Sequence, residues 1–430
     1  MSARVDCLFL CNYMSFIADF HIHSKYSRAT SSQMELEHLD NTAKIKGIKI
    51  LGTGDFTHPI WFQNLKEKLI PLEPGLFKLK TSETGTRFIL TTEISCIYSK
   101  NNRVRKIHII IFAPDFKVVE KINTQLGWIG NLKSDGRPIL GLDAKELAKI
   151  VLNINSDCLI VPAHCWTPWF SVFGSKSGFD SLEECFEEYT KYIYAGETGL
   201  SADPKMFWRL SALDKITLVS NSDAHSPAKI GREANVFDTE LSYQGIIEAI
   251  KQKDPKKFLY TIEFFPEEGK YHYDGHRNCG VSLSPSQTKK YNGLCPVCGR
   301  PLTVGVLNRV EELADREDGF RPENAIDFKS LIPLEEIIAE SLGVGTGTKE
   351  VEREYTDLIQ KFGSEFNILL NTPISDLKSG TLPEITEAIL RVREGKVSVE
   401  PGYDGVYGKI KIFSEAEEKK QVSGQRSLFQ

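Results

Sequence analysis

The stretch Phe16-Ile-Ala-Asp-Phe-His-Ile-His23 decides how the rest of this chain is read. It is apolar and β-favouring, so it predicts a strand, and on a strand residues i and i+2 share a face. His21 and His23 then point the same way and can reach one metal ion, while Phe20 and Ile22 pack in the opposite direction. Working outward, further strands are predicted at 48–54, 87–97, 105–113, 158–164, 192–198 and 216–221. Amphipathic stretches at 32–46, 144–153, 182–191 and 243–251 fall between most of them. Strand and helix in alternation argue an α/β fold with a largely parallel sheet, and seven strands in this length suit a barrel better than an open sheet. Residues 94–111 depart from the pattern. Two apolar runs joined by Ser-Lys-Asn-Asn-Arg read as a hairpin.

The residues that carry chemistry stand at strand ends. Glu93 closes Ile-Leu-Thr-Thr-Glu, His108 lies in Lys-Ile-His-Ile-Ile-Ile, His164 closes Leu-Ile-Val-Pro-Ala-His, and Asp223 and His225 close Val-Ser-Asn-Ser-Asp-Ala-His. In a parallel α/β barrel the carboxyl ends of the strands meet at one face. His21, His23, His108 and His164 are therefore expected to converge there with Glu93 and Asp223. Imidazole and carboxylate ligands favour transition metals over calcium. A carboxylate shared by two ions is the usual device for in-line phosphoester displacement, and the cationic cluster neutralises charge on the phosphate. The sequence so far reads as a metal-dependent phosphoesterase.

Composition bounds the alternatives. With 430 residues, 41% hydrophobic and 26% charged, the chain has ordinary globular composition, which excludes a collagen-like or low-complexity protein. The net charge of -5 means that any nucleic-acid footprint is local. The longest apolar runs fall short of the roughly 18–20 residues that span a bilayer. Residues 1–13 show no clear cleavage site, so a secretory signal is not expected, and Met14 is an alternative start. The nine cysteines are odd in number and only the last three are patterned, which points to a reducing cytoplasm. Those three follow His276 as His276-x2-Cys279, then fifteen residues, then Cys295-x2-Cys298, the spacing of a structural zinc site in which His272 competes with His276. Beyond it, helices are predicted at 333–342, 349–362 and 383–394, with Pro333 and Pro383 at first helical positions and Gly395 as a C-terminal cap. The expected domains are a catalytic barrel at 1–262, a ribbon at 263–315, a helical DNA-binding domain at 316–412 and a tail at 413–430.

The histidine and carboxylate constellation resembles the PHP family of phosphoesterases. The resemblance implies a distorted (β/α)7 barrel holding up to three divalent metals (Zn, Mn or Mg). Carried over, His21, His23, Glu93 and Asp223 would hold the first and Glu93, His108 and His164 the second. His225 would belong to a third. The family's usual Thr-Asp-His reads Gly54-Asp55-Phe56 here, so Asp55 with His225 is the expected third set, with His58 as the other candidate.

Within that family the segments 21–28, 52–55, 197–203, 220–227, 273–279 and 295–315 are similar to endonuclease Q. This resemblance implies a PHP barrel, a zinc ribbon and a small helical domain. It also implies cleavage of DNA 5′ to deaminated bases (uracil, hypoxanthine, xanthine) and to abasic sites, and hence a cytoplasmic enzyme on the nucleoid. Catalysis would then rest on Asp223, Glu93 and His164, with Asp203 near metal, water or base. Because a lesion must leave the stack to be read, Trp166, Trp169 and Phe170, directly after His164, are candidate base platforms, and Lys176 a phosphate contact. The last residues, Gln425-Arg-Ser-Leu428-Phe429, resemble the pentapeptide that binds the bacterial sliding clamp. The alternatives are a small-molecule phosphomonoesterase of the same family and a non-catalytic DNA- or clamp-binding protein. The ribbon, the helices and the tail favour the nuclease.

Overall fold

The structure is a computed structural model that describes residues 15–413. The clamp-like residues Gln425, Leu428 and Phe429 and the alternative start Met14 lie outside the described residues. The barrel is built from β1 (Phe16–Asp19), β2 (Ile50–Gly52), β3 (Arg87–Lys100), β4 (Arg103–Ala113), β5 (Leu159–Pro162), β6 (Ala195–Glu197) and β7 (Thr217–Val219). β1, β2 and β3 run parallel. β3 and β4 form the hairpin that the Asn-Asn turn predicts, with Asn101 and Asn102 both at positive φ and Lys100 paired to Arg103. β4 pairs antiparallel with β5, and β6 pairs parallel with β7. A bridge between Ile22 and Ala224, just beyond β7, brings the ring back to β1. The seven strands read from the sequence are thus the seven of the barrel. The sheet mixes directions because β4 returns as a hairpin arm instead of crossing over through a helix.

Three further strands extend the sheet from the other edge of β1: β8 (Ala234–Phe237) and β9 (Phe258–Glu263), both in antiparallel pairings, and β10 (Asp327–Ser330), parallel to β9. β10 follows the ribbon in sequence, so the chain returns to the barrel before entering the C-terminal helices. Those are Leu334–Leu342, Lys349–Phe362, the short Ile374–Gly380, and Pro383–Arg393. Pro383 stands at the first helical position as expected, whereas Pro333 precedes its helix as the N-cap. Among the described residues no helix is long and apolar enough to cross a membrane.

Two apolar layers hold the barrel. The inner one stacks Phe16, Ala18 and Phe20 against Ile50, Ile89, Ile110, Phe112, Leu159, Val161 and Val219. Phe20 meets Phe112 edge to face at 5.3 Å. The outer layer lies under the helices. α1 (Leu36–Lys46) buries Leu36, Leu39 and Ala43, spaced three and four apart as one helical face, and ends where Gly47 takes the left-handed conformation. α2 (Pro59–Lys68), α3 (Phe116–Gly127) and α4 (Ala144–Ile154) follow the same logic. Replacing Phe112 by Ala removes a ring from the inner layer and should cost about 3–5 kcal/mol. Urea unfolding checks this, and a loss below about 1 kcal/mol would mean the barrel interior is not where the stability sits.

Candidate metal centre

His21 and His23 do not lie on β1 itself, which ends at Asp19, but on the irregular extension just past it. The asparagine Asn221 accepts from the Phe20 amide at 3.0 Å and fixes that extension. Both imidazoles meet the carboxylates Glu93 and Asp223. His23 Nε2 lies 3.2 Å from Glu93 Oε2 and 3.1 Å from Asp223 Oδ1. His21 Nε2 lies 3.5 Å and 3.7 Å from the same two atoms. The other oxygen of Glu93 faces a different pair. Its Oε1 is 2.7 Å from His108 Nδ1 and 3.4 Å from His164 Nε2, and those two nitrogens are 3.1 Å apart. Glu93 therefore turns one oxygen to each of two ligand groups, His21–His23–Asp223 and His108–His164.

These residues fit metal ions, and the test is their unmet valence. His21 Nε2, His23 Nε2, Glu93 Oε1 and Asp223 Oδ1 are all buried, yet none makes a hydrogen bond of proper geometry despite the short approaches. Buried polar atoms are ordinarily paired. Lone pairs crowded onto a common point are what a cation satisfies. The electrostatics agree. Burial alone would raise the Glu93 carboxyl, but His108, Arg137 and His21 outweigh it and hold Glu93 well below the usual range. Burial pushes the His108 imidazole down to about 4 against the pull of Glu93, which keeps it neutral. His21 shows the converse. Burial opposes its proton, yet Glu197, Glu93 and Asp223 hold it well above the ordinary value, so the cage stabilises positive charge.

A second ring of groups aims these ligands, and sequence reasoning assigned little of it. Glu197 accepts at His21 Nδ1 (3.0 Å) and takes the His164 amide (2.8 Å) and the Asn221 side chain (2.9 Å). Thr167 Oγ1 stands at His164 Nδ1, 3.1 Å away. Arg137 reaches Glu93 Oε2 from the loop after α3, at 3.0 Å. Carboxylates behind metal-binding imidazoles set the tautomer and the ring orientation. The only sequence signal for Glu197 was its place in the 197–203 segment, and Arg137 gave none. Backbone strain marks the same place. His164 (φ 30°), Asp223 (φ 46°) and Asp55 (φ 49°) are all left-handed non-glycine residues, each in the connection after a barrel strand. Strain clusters at functional sites.

Several expected residues stand elsewhere. Asp55 is not grouped with the ligand atoms. Its Oδ1 meets His23 Nδ1 at 3.0 Å and its Oδ2 takes the Ser24 amide and the Ser24 and Ser27 hydroxyls, so it orients His23 from behind. His225 stands beside the cluster, its ring 4.5 Å from that of His23 and its Nδ1 on the Asp223 carbonyl at 2.9 Å. His58 stacks on Tyr26 at 4.4 Å. Asp203 caps the helix Pro204–Trp208, accepting from the Met206 amide at 3.1 Å, and burial pushes its carboxyl up to about 6. Trp166 cannot serve as a base platform because it is core, packed on Phe173 and Phe207. Trp169 is 38% exposed and forms a T-shaped pair with Tyr271, Phe170 lies 4.6 Å from the His108 ring, and Lys176 is exposed.

The ribbon forms a separate quartet. His276 ends the strand Asp274–His276, Cys279 lies in the turn to Val281–Leu283, and Cys295 and Cys298 share a second turn closed by Gly299. Their ligand atoms all fall within 4.8 Å of one another. His276 is thus the histidine of the quartet, while the buried His272 faces the Ser201 carbonyl. Burial would raise the Cys295 thiol, but the amides of Cys298 and Val297 bring it down to about 7, toward the thiolate that binds zinc. The apolar core here is Val281, Leu283, Cys295 and Leu302, a small cluster of the kind that a metal site at this quartet would reinforce.

A seven-stranded barrel whose mouth carries one carboxylate shared between two imidazole groups defines a metal-dependent hydrolase of the PHP type. The family model described as PHP-associated matches residues 208–255, and the one described as MJ0043 C-terminal domain matches 333–396. The crystal structure of the lesion-specific endonuclease PfuEndoQ from Pyrococcus furiosus superposes with a TM-score of 0.83 at 33% identity, over 94% of this chain and 96% of that one. Endonuclease Q in complex with a 27-mer duplex substrate bearing an abasic lesion at the active site gives 0.82 and 33%, over 94% and 98%. Among proteins compared by sequence, YqxK of Bacillus subtilis is 28% identical over 92% of this chain and 98% of its own length. MJ0043 of Methanocaldococcus jannaschii is 35% identical over 69% of this chain, which spans 38% of that protein. The chain belongs to the endonuclease Q family. Metal analysis of a Cys295→Ser, Cys298→Ser variant should show the loss of one zinc per chain, with the ribbon unfolded to proteases, and unchanged zinc would refute that assignment.

Proposed function

We propose that the protein is a DNA repair endonuclease that hydrolyses the phosphodiester on the 5′ side of deaminated bases and of abasic sites. The observation that carries this reading is Glu93 turning one oxygen to His21, His23 and Asp223 and the other to His108 and His164. Likeness over nearly the whole chain to a lesion-specific endonuclease supports a damaged-DNA substrate. We assign two divalent ions (Zn, Mn or Mg) to these ligand sets and, beside them, His225 to a third. When bound, such ions supply activated water and neutralise charge on the phosphate and the departing oxygen.

The residues themselves do the rest. Asp55 and Glu197 accept from the Nδ1 atoms of His23 and His21, which leaves both Nε2 lone pairs facing the mouth. Arg137 keeps a quarter of its side chain exposed while bonded to Glu93, so a guanidinium stands where the anionic backbone approaches. Trp169 and Phe170, next to His108 and His164, offer ring faces to an extruded base, and Lys176 lies on the same connection. A duplex substrate places the enzyme on the nucleoid, in the cytoplasm. The terminal Gln425, Leu428 and Phe429 would tether it to the sliding clamp and raise its local concentration on DNA.

Glu93→Ala and Asp223→Ala should each abolish nicking of a uracil-containing duplex while sparing most of its binding. Retained nicking in either variant contradicts the assignment, and release of phosphate from small monoesters without any nicking would make the protein a phosphatase. Removal of residues 425–430 should leave cleavage of free oligonucleotides intact and abolish co-elution with the clamp; co-elution of the truncated protein would refute the tether.

A further inference from the structure

Trp128 is the most exposed large apolar residue among those described, at 81%. It follows α3 directly, and its neighbours Ile129 and Ile139 are also exposed. The loop from Trp128 to Pro138 crosses the metal end of the barrel, over the segments that follow β1 and β2. The Gly136 amide donates to the Tyr26 carbonyl at 3.0 Å, Thr57 Oγ1 donates to the Gly136 carbonyl at 3.3 Å, and Arg137 reaches Glu93. The loop is stiff. The amides of Trp128, Ile129 and Gly130 all bond back to the last turn of α3, and Leu132 is buried. Gly136 presses so closely on Asp55 and Ser27 that a Cβ there would lie 2.3 Å from Asp55 Oδ2.

The surroundings are basic in a chain of net charge -5. Arg28, Lys121 and Lys133 are exposed, and none forms an ion pair among the described residues. The nearby acids are engaged: Glu120 by Lys66 at 2.8 Å, and Asp135 by the amides of Arg28 and Arg137. Lys121 lies seven residues before Trp128, about 10 Å along the helix and so about three base steps of one strand. One Trp and two Ile expose far less than the roughly 800 Å² a protein partner needs on each side. An isolated rigid ring amid unpaired cations matches the side chains that part a base step between phosphates.

We propose that Trp128 is a wedge that enters the base stack of the lesion duplex beside the extruded nucleotide, with Arg28, Lys121 and Lys133 on the flanking phosphates. This rests on the reading of the protein as a lesion endonuclease. Extrusion leaves a gap in the stack, and an aromatic ring that occupies it holds the lesion out.

The test uses the full chain, loaded with divalent metal, on duplexes whose scissile phosphodiester is replaced by a non-hydrolysable linkage, so that Glu93 and its partners stay in place. The probe is a duplex carrying one abasic analogue, with 2-aminopurine scanned along the steps on either side. The parent should raise 2-aminopurine fluorescence at one step as the stack opens. Trp128→Ala should remove that rise and weaken binding about tenfold, as expected for loss of one stacked base, and Trp128→Phe should restore most of both. Lys121→Ala with Lys133→Ala should flatten the salt dependence of binding by about two phosphate contacts. A Trp128→Ala protein that binds and opens the duplex as the parent does overturns the wedge and leaves the patch to a protein partner. A parent that shows no preference for the lesion duplex overturns the endonuclease reading, and the wedge with it.

Discussion

Glu93 has a side chain with no exposed surface, and it stands among four imidazoles and a second carboxylate. Burying so many ionisable groups without compensation is among the most expensive things a fold can do. The cost is offset only if positive charge sits between the oxygens of Glu93 and the ring nitrogens. Arg137, bonded to Glu93 and still partly open, supplies some of it, and the unpartnered nitrogens of His21 and His23 ask for the rest. The barrel is arranged around this demand. β1, β3, β4, β5 and β7 each bring at least one ligand to the mouth from a separate part of the chain. The inner layer of Phe20, Ile110, Phe112 and Val161 then fixes where those strands can stand.

What the sequence reveals of this centre follows from periodicity, and what it hides follows from distance along the chain. An HxH at the end of an apolar run is a local pattern, and so is a histidine or carboxylate that closes a strand. Those signals named the residues of both ligand groups and the hairpin at Asn101–Asn102. Glu197 and Arg137 serve His21 and Glu93 from 176 and 44 residues away, and no local pattern announces such pairs. Asp55 was legible as a site residue but not by role, because its own contacts to Ser24 and Ser27 decide which way its carboxylate turns. Trp166 shows the opposite error. An aromatic residue two positions after a ligand looks available, yet the chain doubles back at Phe173 and buries it. β8, β9 and β10 escape a local reading because such short strands carry weak alternation, and β10 depends on a return from the ribbon.

The ribbon bears directly on the metal mouth. Arg309, on the helix Val306–Leu313, donates to the Phe173 and Phe179 carbonyls and pairs with Asp180. It therefore pins the connection that follows His164. Ser175 donates to the Val304 carbonyl across the same junction. From the other side, Gly402 and Gly408 donate to Glu267 and Glu268, and Asp404 takes the Arg277 amide. The segment 171–180 thus has its conformation set by groups far away in sequence.

Backbone strain ties these features to chemistry. A left-handed non-glycine residue costs of order 1–3 kcal/mol, and His164, Asp223 and Asp55 each hold one. Their surroundings do not let them relax. Arg232 donates to the carbonyls of Ser222 and Asp223, Glu197 takes the His164 amide, and Gly199 lies against the His164 side chain where any Cβ would collide. Such strain is unfavourable for folding alone. It is understandable where a strand end must turn its side chain inward, toward a shared point that regular extended geometry would miss. The turns at His164 and Asp223 bring in two of the groups gathered around Glu93, and the turn at Asp55 sets the carboxylate behind His23, so the backbone conformation and the ligand set are a single constraint.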